Sequence, residues 1–182
     1  MDHGLETKLC RAGAVMQLTE DGAIEGYASV FGLADQGGDV VAAGAYGASL
    51  KALTGEKRAV KMLWQHDPAQ PIGVWDEVRE DGRGLFVKGR LLMAVDRARE
   101  AAALIAAGAI DGLSIGYRTV KASRDEAGRR VLQELDLWEV SLVTFPMLPQ
   151  ARVAAKGEVP QDAALEELAR GLEAARRALA GG

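Results

Sequence analysis

Three side chains in this sequence of 182 residues combine the types that acyl-transfer chemistry needs: the hydroxyl of Ser114, the imidazole of His66 and the carboxylate of Glu139. Ser114 sits in Gly112-Leu113-Ser114-Ile115-Gly116, between two glycines in an otherwise apolar run. Glycines let a backbone turn sharply and approach a substrate closely, so the hydroxyl can be presented with nearby amides free to stabilise an oxyanion. A serine in a glycine-containing turn of no chemical importance would look the same. His66, in Leu63-Trp64-Gln65-His66-Asp67-Pro68, has an aromatic wall on one side and a proline break on the other. An ordinary imidazole pKa near 6.5 suits a general base at neutral pH. The chain has two histidines, and the other, His3, lies too close to the N-terminus to be firmly held.

The third group is read from Leu135-Asp136-Leu137-Trp138-Glu139-Val140-Ser141-Leu142-Val143. In a strand, Leu135, Leu137, Glu139, Ser141 and Val143 share one face, and Glu139 interrupts an apolar row. A carboxylate buried there needs a partner, and an imidazole N–H is a suitable one. Asp136 and Asp111 are the substitutes if Glu139 faces solvent. Asp67 is poorly placed, because neighbours in a strand point to opposite faces. The roles follow from triad logic: Ser114 attacks, His66 moves the proton, and Glu139 fixes the tautomer of His66. The string also fits the G-x-S-x-G elbow of α/β-hydrolases, but there the histidine follows the serine. Here His66 comes 48 positions earlier (114 − 66), so the order excludes that reading.

Composition narrows the alternatives. The single cysteine, Cys10, rules out an intramolecular disulfide and a cysteine-built zinc site, and it falls in a loose leader unsuited to a catalytic thiol. No metal or organic cofactor is needed by the scheme. A formal net charge of −4 gives no electrostatic reason to expect nucleic acid or an anionic membrane as partner. No apolar run reaches the roughly 20 residues that span a bilayer, and no signal-peptide pattern opens the chain, so a cytoplasmic protein is expected.

These groups need elements to hold them. Ile24 to Phe31 reads as a strand, Ala34 to Gly44 as a long loop and Ala45 to Leu53 as a short helix. Val60 to His66 reads as a strand that ends an apolar row at His66 and is stopped by Asp67-Pro68. Ile72 to Arg79 and Leu85 to Leu92 flank a turn at Glu80-Asp81-Gly82-Arg83-Gly84 and read as a hairpin. A helix over Arg97 to Ala107 is expected, N-capped by Asp96, with Gly108 at C′. Ile115 to Val120 and Arg130 to Val143 make a second strand pair, and Pro146 and Pro149 close the unit. Residues Gln161 to Ala180 repeat apolar positions at helical spacing and are expected to form an amphipathic terminal helix, either docked on its own domain or serving as a partner-docking or removable tail. The expected organisation is a leader at 1–22, a catalytic domain at 23–153 and a linker plus helix at 154–182. A strand inside the leader is an alternative start for the domain.

Four blocks now become familiar together: Ile24-Glu25-Gly26-Tyr27-Ala28, Leu63-Trp64-Gln65-His66-Asp67, Gly112-Leu113-Ser114-Ile115-Gly116-Tyr117 and Trp138-Glu139-Val140-Ser141-Leu142-Val143-Thr144-Phe145-Pro146. In order and over about residues 24 to 152, they resemble the HK97-type phage prohead protease family. That resemblance matches the family's histidine to His66 and its serine to Ser114. Through a relation to herpesvirus assembly proteases, it implies an α+β fold with a mostly antiparallel β-barrel surrounded by helices. It also implies a serine endopeptidase acting inside an assembling prohead, in the host cytoplasm, on scaffold or the N-terminal scaffolding segment of the major capsid protein, and commonly on itself. A homo-oligomer is compatible with this. Phage, prophage and gene-transfer-agent origins all fit. The rival readings are a non-enzymatic capsid-assembly component and a hydrolase of small esters.

Overall fold

A computed structural model of the chain describes residues 6–9, 17–19, 21–35 and 37–144. Within them, nine strands and two helices follow in the order β1 (Glu6–Leu9), β2 (Gln17–Leu18), β3 (Ala23–Val30), β4 (Val40–Val41), α1 (Gly47–Gly55), β5 (Lys61–Trp64), β6 (Asp67–Glu80), β7 (Gly84–Leu91), α2 (Asp96–Ala106), β8 (Gly112–Arg124) and β9 (Arg130–Val143). The strands form one sheet in the order β1-β8-β9-β5-β6-β7-β3-β2, with β4 added beside β9. Most pairs are antiparallel, and β9 also takes β5 and β4 in parallel. The ladder is not closed into a full barrel by hydrogen bonds: β1 and β2 stand at its two ends, while β3 and β8 approach one another across the gap.

Apolar residues of both helices and the concave sheet meet in one core. Ile24, Met62, Ile72, Leu85, Ile115, Leu132 and Leu135 are fully buried in it. In α2, Ala98, Ala101 and Ile105 supply the buried stripe at helical spacing. Gly108 takes φ +69°, the left-handed C′ position expected for it. Asp96 is the first helical residue rather than its cap, and its carboxylate pairs with Arg99 instead. The N-terminal end of α1 is capped from another element, since the carboxylate of Glu80 accepts the backbone N–H groups of Gly44 and Tyr46.

Other differences from the sequence reading have local causes. The 34–44 loop carries two valines that extend to form β4. Asp67-Pro68 opens β6 instead of ending the strand before it, because the extended conformation that proline imposes on its predecessor suits a strand start equally well. Upstream of residue 23, β1 and β2 both join the sheet. The terminal helix, Pro146, Pro149, His3 and Cys10 lie outside the described residues.

The β6–β7 hairpin turns on Asp81, whose Oδ1 accepts the amides of Arg83 (2.9 Å) and Gly84 (3.2 Å) while Oδ2 accepts Tyr27 O–H (2.8 Å) and Arg79 (2.6 Å). The Arg83 amide foremost, helped by Tyr27, Arg79 and Gly84, holds its pKa down to about 2 from an ordinary 3.8. Depressed in the fold, the group contributes stability that is fully present above pH 3.8 and lost as pH falls towards 2. Asp81→Ala is therefore expected to flatten stability against pH over that window, as read from urea midpoints collected at successive pH values; an unchanged slope would contradict the assignment.

Candidate active site

His66 is held by an unusual turn. Trp64 pairs with Asp67 across the β5–β6 junction, so Gln65 and His66 are the two loop residues of a tight hairpin. Both have positive φ, 53° and 62°. Two-residue hairpins ask for that pair and usually obtain it with Asn-Gly; a residue with a Cβ costs on the order of 1–3 kcal/mol there. Contacts from the end of β9 offset the strain. The Gln65 amide donates to Leu142 O at 2.9 Å, its side-chain Nε2 donates to Thr144 Oγ1 at 2.6 Å, and the His66 amide donates to Ser141 Oγ at 3.2 Å.

Glu139 lies on β9 between β5 and β8, registered with Lys61 on one side and Gly116 on the other. The ladder slips at Trp138, where the register jumps from Gly116/Glu139 to Tyr117/Leu137. The residue is only 5% exposed, as the buried-carboxylate argument requires. Its charge is met by two donors: His66 Nδ1–H at 2.6 Å on Oε1 and the Ser141 hydroxyl at 2.5 Å on Oε2. With Nδ1–H facing a carboxylate, the neutral ring carries its lone pair on Nε2, which is the form a general base needs. Nε2 is buried and has no hydrogen-bond partner among the described residues.

Ser114 is the third residue of β8 and is not in a bend. Neither Gly112 nor Gly116 adopts positive φ. The need for glycine at 116 is one of space: a Cβ there would lie 2.0 Å from Glu139 Oε1 and 2.7 Å from its Cδ. Ser114 pairs directly with Ser141 on β9. Opposed residues of an antiparallel pair share a face, so Ser114 lies on the face of Ser141 and Glu139, against which His66 is bonded. Ser114 is fully buried, and on its other side β1 runs antiparallel, with Leu9 opposite Ser114.

The remaining candidates lie elsewhere. Asp67 Oδ1 accepts the Ala69 amide at 2.9 Å, and Asp136 accepts the Trp138 indole N–H at 2.8 Å, so neither orients His66. Asp111 stands just before β8. Among the described residues, no three His, Cys, Asp or Glu side chains gather as a metal cage, and no helix is long and apolar enough to cross a membrane. Ser141 was missed as a positioning residue, although its place two residues beyond Glu139 on the same face was the available signal. Gln65, the anchor of the strained turn, had no such signal.

An imidazole bonded to a buried carboxylate, with a serine in register on the neighbouring strand, is an arrangement compatible with a serine hydrolase. The chain belongs to the Caudovirus prohead serine protease family, whose pattern it matches over residues 12–164. It is 35% identical over 143 residues to the prohead protease of Enterobacteria phage HK97, an alignment covering 77% of this chain and 62% of that protein. The chain thus spans somewhat less than two thirds of that relative's length. In fold it is similar to the bacteriophage T4 capsid assembly protease, with a TM-score of 0.59 at 18% identity over 78% of this chain and 98% of the other.

Proposed function

We propose that the chain is a serine endopeptidase of prohead maturation, cutting scaffold or the N-terminal scaffolding segment of a major capsid protein, and itself, inside an assembling shell. The observation that carries the reading is the relay from Ser141 through buried Glu139 to His66 Nδ1, which leaves Nε2 without a hydrogen-bond partner among the described residues, while Ser114 stands in register with Ser141. Ser114 Oγ attacks the scissile carbonyl as Nε2 takes its proton; His66 returns that proton to the leaving amine, and water then releases the acyl group by the same path. Glu139 and Ser141 do not touch substrate; they hold the ring and compensate its transient charge. The chain order His66, Ser114, Glu139 and the curved, mostly antiparallel sheet support a relation to herpesvirus assembly proteases. Residues 23–153 are read as the catalytic unit and Gln161 to Ala180 as a docking or removable helix, with self-association compatible.

Co-expression with a capsid protein that carries its scaffolding segment tests the reading, with a fluorophosphonate probe added to lysates. The expected result is trimming of the capsid protein together with probe attached to Ser114. Normal assembly without either signal would favour a structural assembly role. Labelling and ester hydrolysis without peptide cleavage would favour a small-ester hydrolase.

A further inference from the structure

The edge of β8 beside Ser114 is filled by the chain's own β1. The register runs Glu6↔Tyr117, Thr7↔Gly116, Lys8↔Ile115 and Leu9↔Ser114. An extended peptide laid along that edge in this direction would bring its backbone past Ser114, as substrate-like strand addition does. At the far end of β1, Glu6 enters a receptor for a carboxylate. Arg130 donates to Glu6 Oε2 at 2.6 Å, the Thr119 hydroxyl donates to Oε1 at 2.5 Å, and Arg130 also donates to Thr119 Oγ1 at 2.8 Å. Asp39 accepts from Arg130 at 3.2 Å, so the guanidinium keeps a counter-charge if Glu6 departs.

β1 itself lies outside the region that the family pattern covers, although its bonds run to residues inside that region. That pattern begins at residue 12, beyond β1, and β1 is a strand of four residues at the margin of the sheet. With Ser114 fully buried, a peptide reaching it along this edge has to take the place of β1.

We infer that the β8 edge is the seat of an extended peptide substrate, that Arg130 and Thr119 form a subsite for an acidic side chain three residues before the one facing Ser114, and that β1 occupies this seat as an intramolecular competitor through Glu6. The inference rests on the protease reading for its meaning, but binding to the edge is measurable without turnover. Charge-assisted hydrogen bonds of this kind are worth about 1.5–3 kcal/mol, or roughly 10- to 100-fold in affinity.

The test uses the full chain carrying Ser114→Ala, so that nothing is cleaved, and a fluorescent peptide copying residues 4–12 with serine replacing Cys10. Anisotropy titration is expected to show at least about tenfold tighter binding when Glu6→Ala is added to the chain. The gain should vanish with Arg130→Ala, or when the peptide's glutamate is replaced by glutamine. Thr7→Pro and Lys8→Pro open the edge by a second route, since alternate amides of an edge strand face the neighbour and one of the two substitutions must remove a ladder bond. Equal affinity for glutamate and glutamine peptides, or no gain from any opening of the edge in chains that keep their circular dichroism, would overturn the subsite. Absence of fluorophosphonate labelling and peptide cleavage in the chain that retains Ser114, with these binding effects intact, would overturn the protease reading alone.

Discussion

Ser114→Ala and His66→Ala are each expected to lower kcat/KM on a cleavable peptide by about 10⁵- to 10⁶-fold, with the double variant no worse than either alone. On the proposed mechanism nucleophile and base act in one step, so removing either disables both, and additive losses would show that the two groups work separately. The fold should survive. Ser114 contributes a small side chain at a strand pair, and alanine fits the same space. His66→Ala keeps the Gln65–Thr144 clasp and the amide bond to Ser141, but it leaves the buried Glu139 carboxylate with Ser141 as its one remaining donor among the described residues and therefore costs stability. A thermal midpoint within a few degrees of wild type for Ser114→Ala, and a lower one for His66→Ala, alongside the kinetic loss in both, are the combined result to look for. Retention of more than a few per cent of activity by Ser114→Ala would remove this serine from the mechanism.

The second large effect is expected at a residue with no functional group. In Gly116→Ala the new methyl would meet Glu139 Oε1, Cδ and Cγ at 2.0, 2.7 and 2.8 Å, with β8 held between β1 and β9. The carboxylate has to move, and it cannot do so while keeping both His66 Nδ1 and Ser141 Oγ. Displacement of about 1 Å at such a site costs on the order of 10²-fold in rate. Overpacking adds about 1–3 kcal/mol of instability. The prediction is a fall in kcat of at least 100-fold with a modest drop in thermal midpoint. Glu139→Gln, which keeps the shape but loses the charge, should match the kinetic loss without the drop. An alanine variant that is stable and fully active would mean that the carboxylate has another place to sit.

Much of this arrangement is legible in the sequence. The buried carboxylate could be inferred because Glu139 breaks a row of leucines and valines, and β6, β7 and α2 were marked by alternation, an acidic glycine turn and an alanine-rich run. Local patterns of that kind report what a residue does for its own element. What stayed hidden depends on elements far apart in sequence. The two-residue turn at Gln65-His66 contradicts ordinary turn preferences and is sustained by Leu142, Ser141 and Thr144, more than 70 positions away. Gly116 was read as a pivot for Ser114, whereas its function is to clear room for Glu139, which appears only once β8 and β9 are in register. The pairing of β1 with β8 likewise joins residues 105 (114 − 9) to 111 (117 − 6) positions apart.

β9 lies inside the sheet with β8 on one side and β5 on the other, and Ser114, His66 and Glu139 all take their positions from it. Fraying at a margin can therefore leave the three groups assembled, whereas any opening that frees β9 scatters them at once. Amide hydrogens of Val140 and Leu142 should accordingly exchange with deuterium only through whole-molecule opening. On the proposed mechanism, chemical competence then arrives as a single event at the end of folding, and a half-built chain would lack the assembled centre.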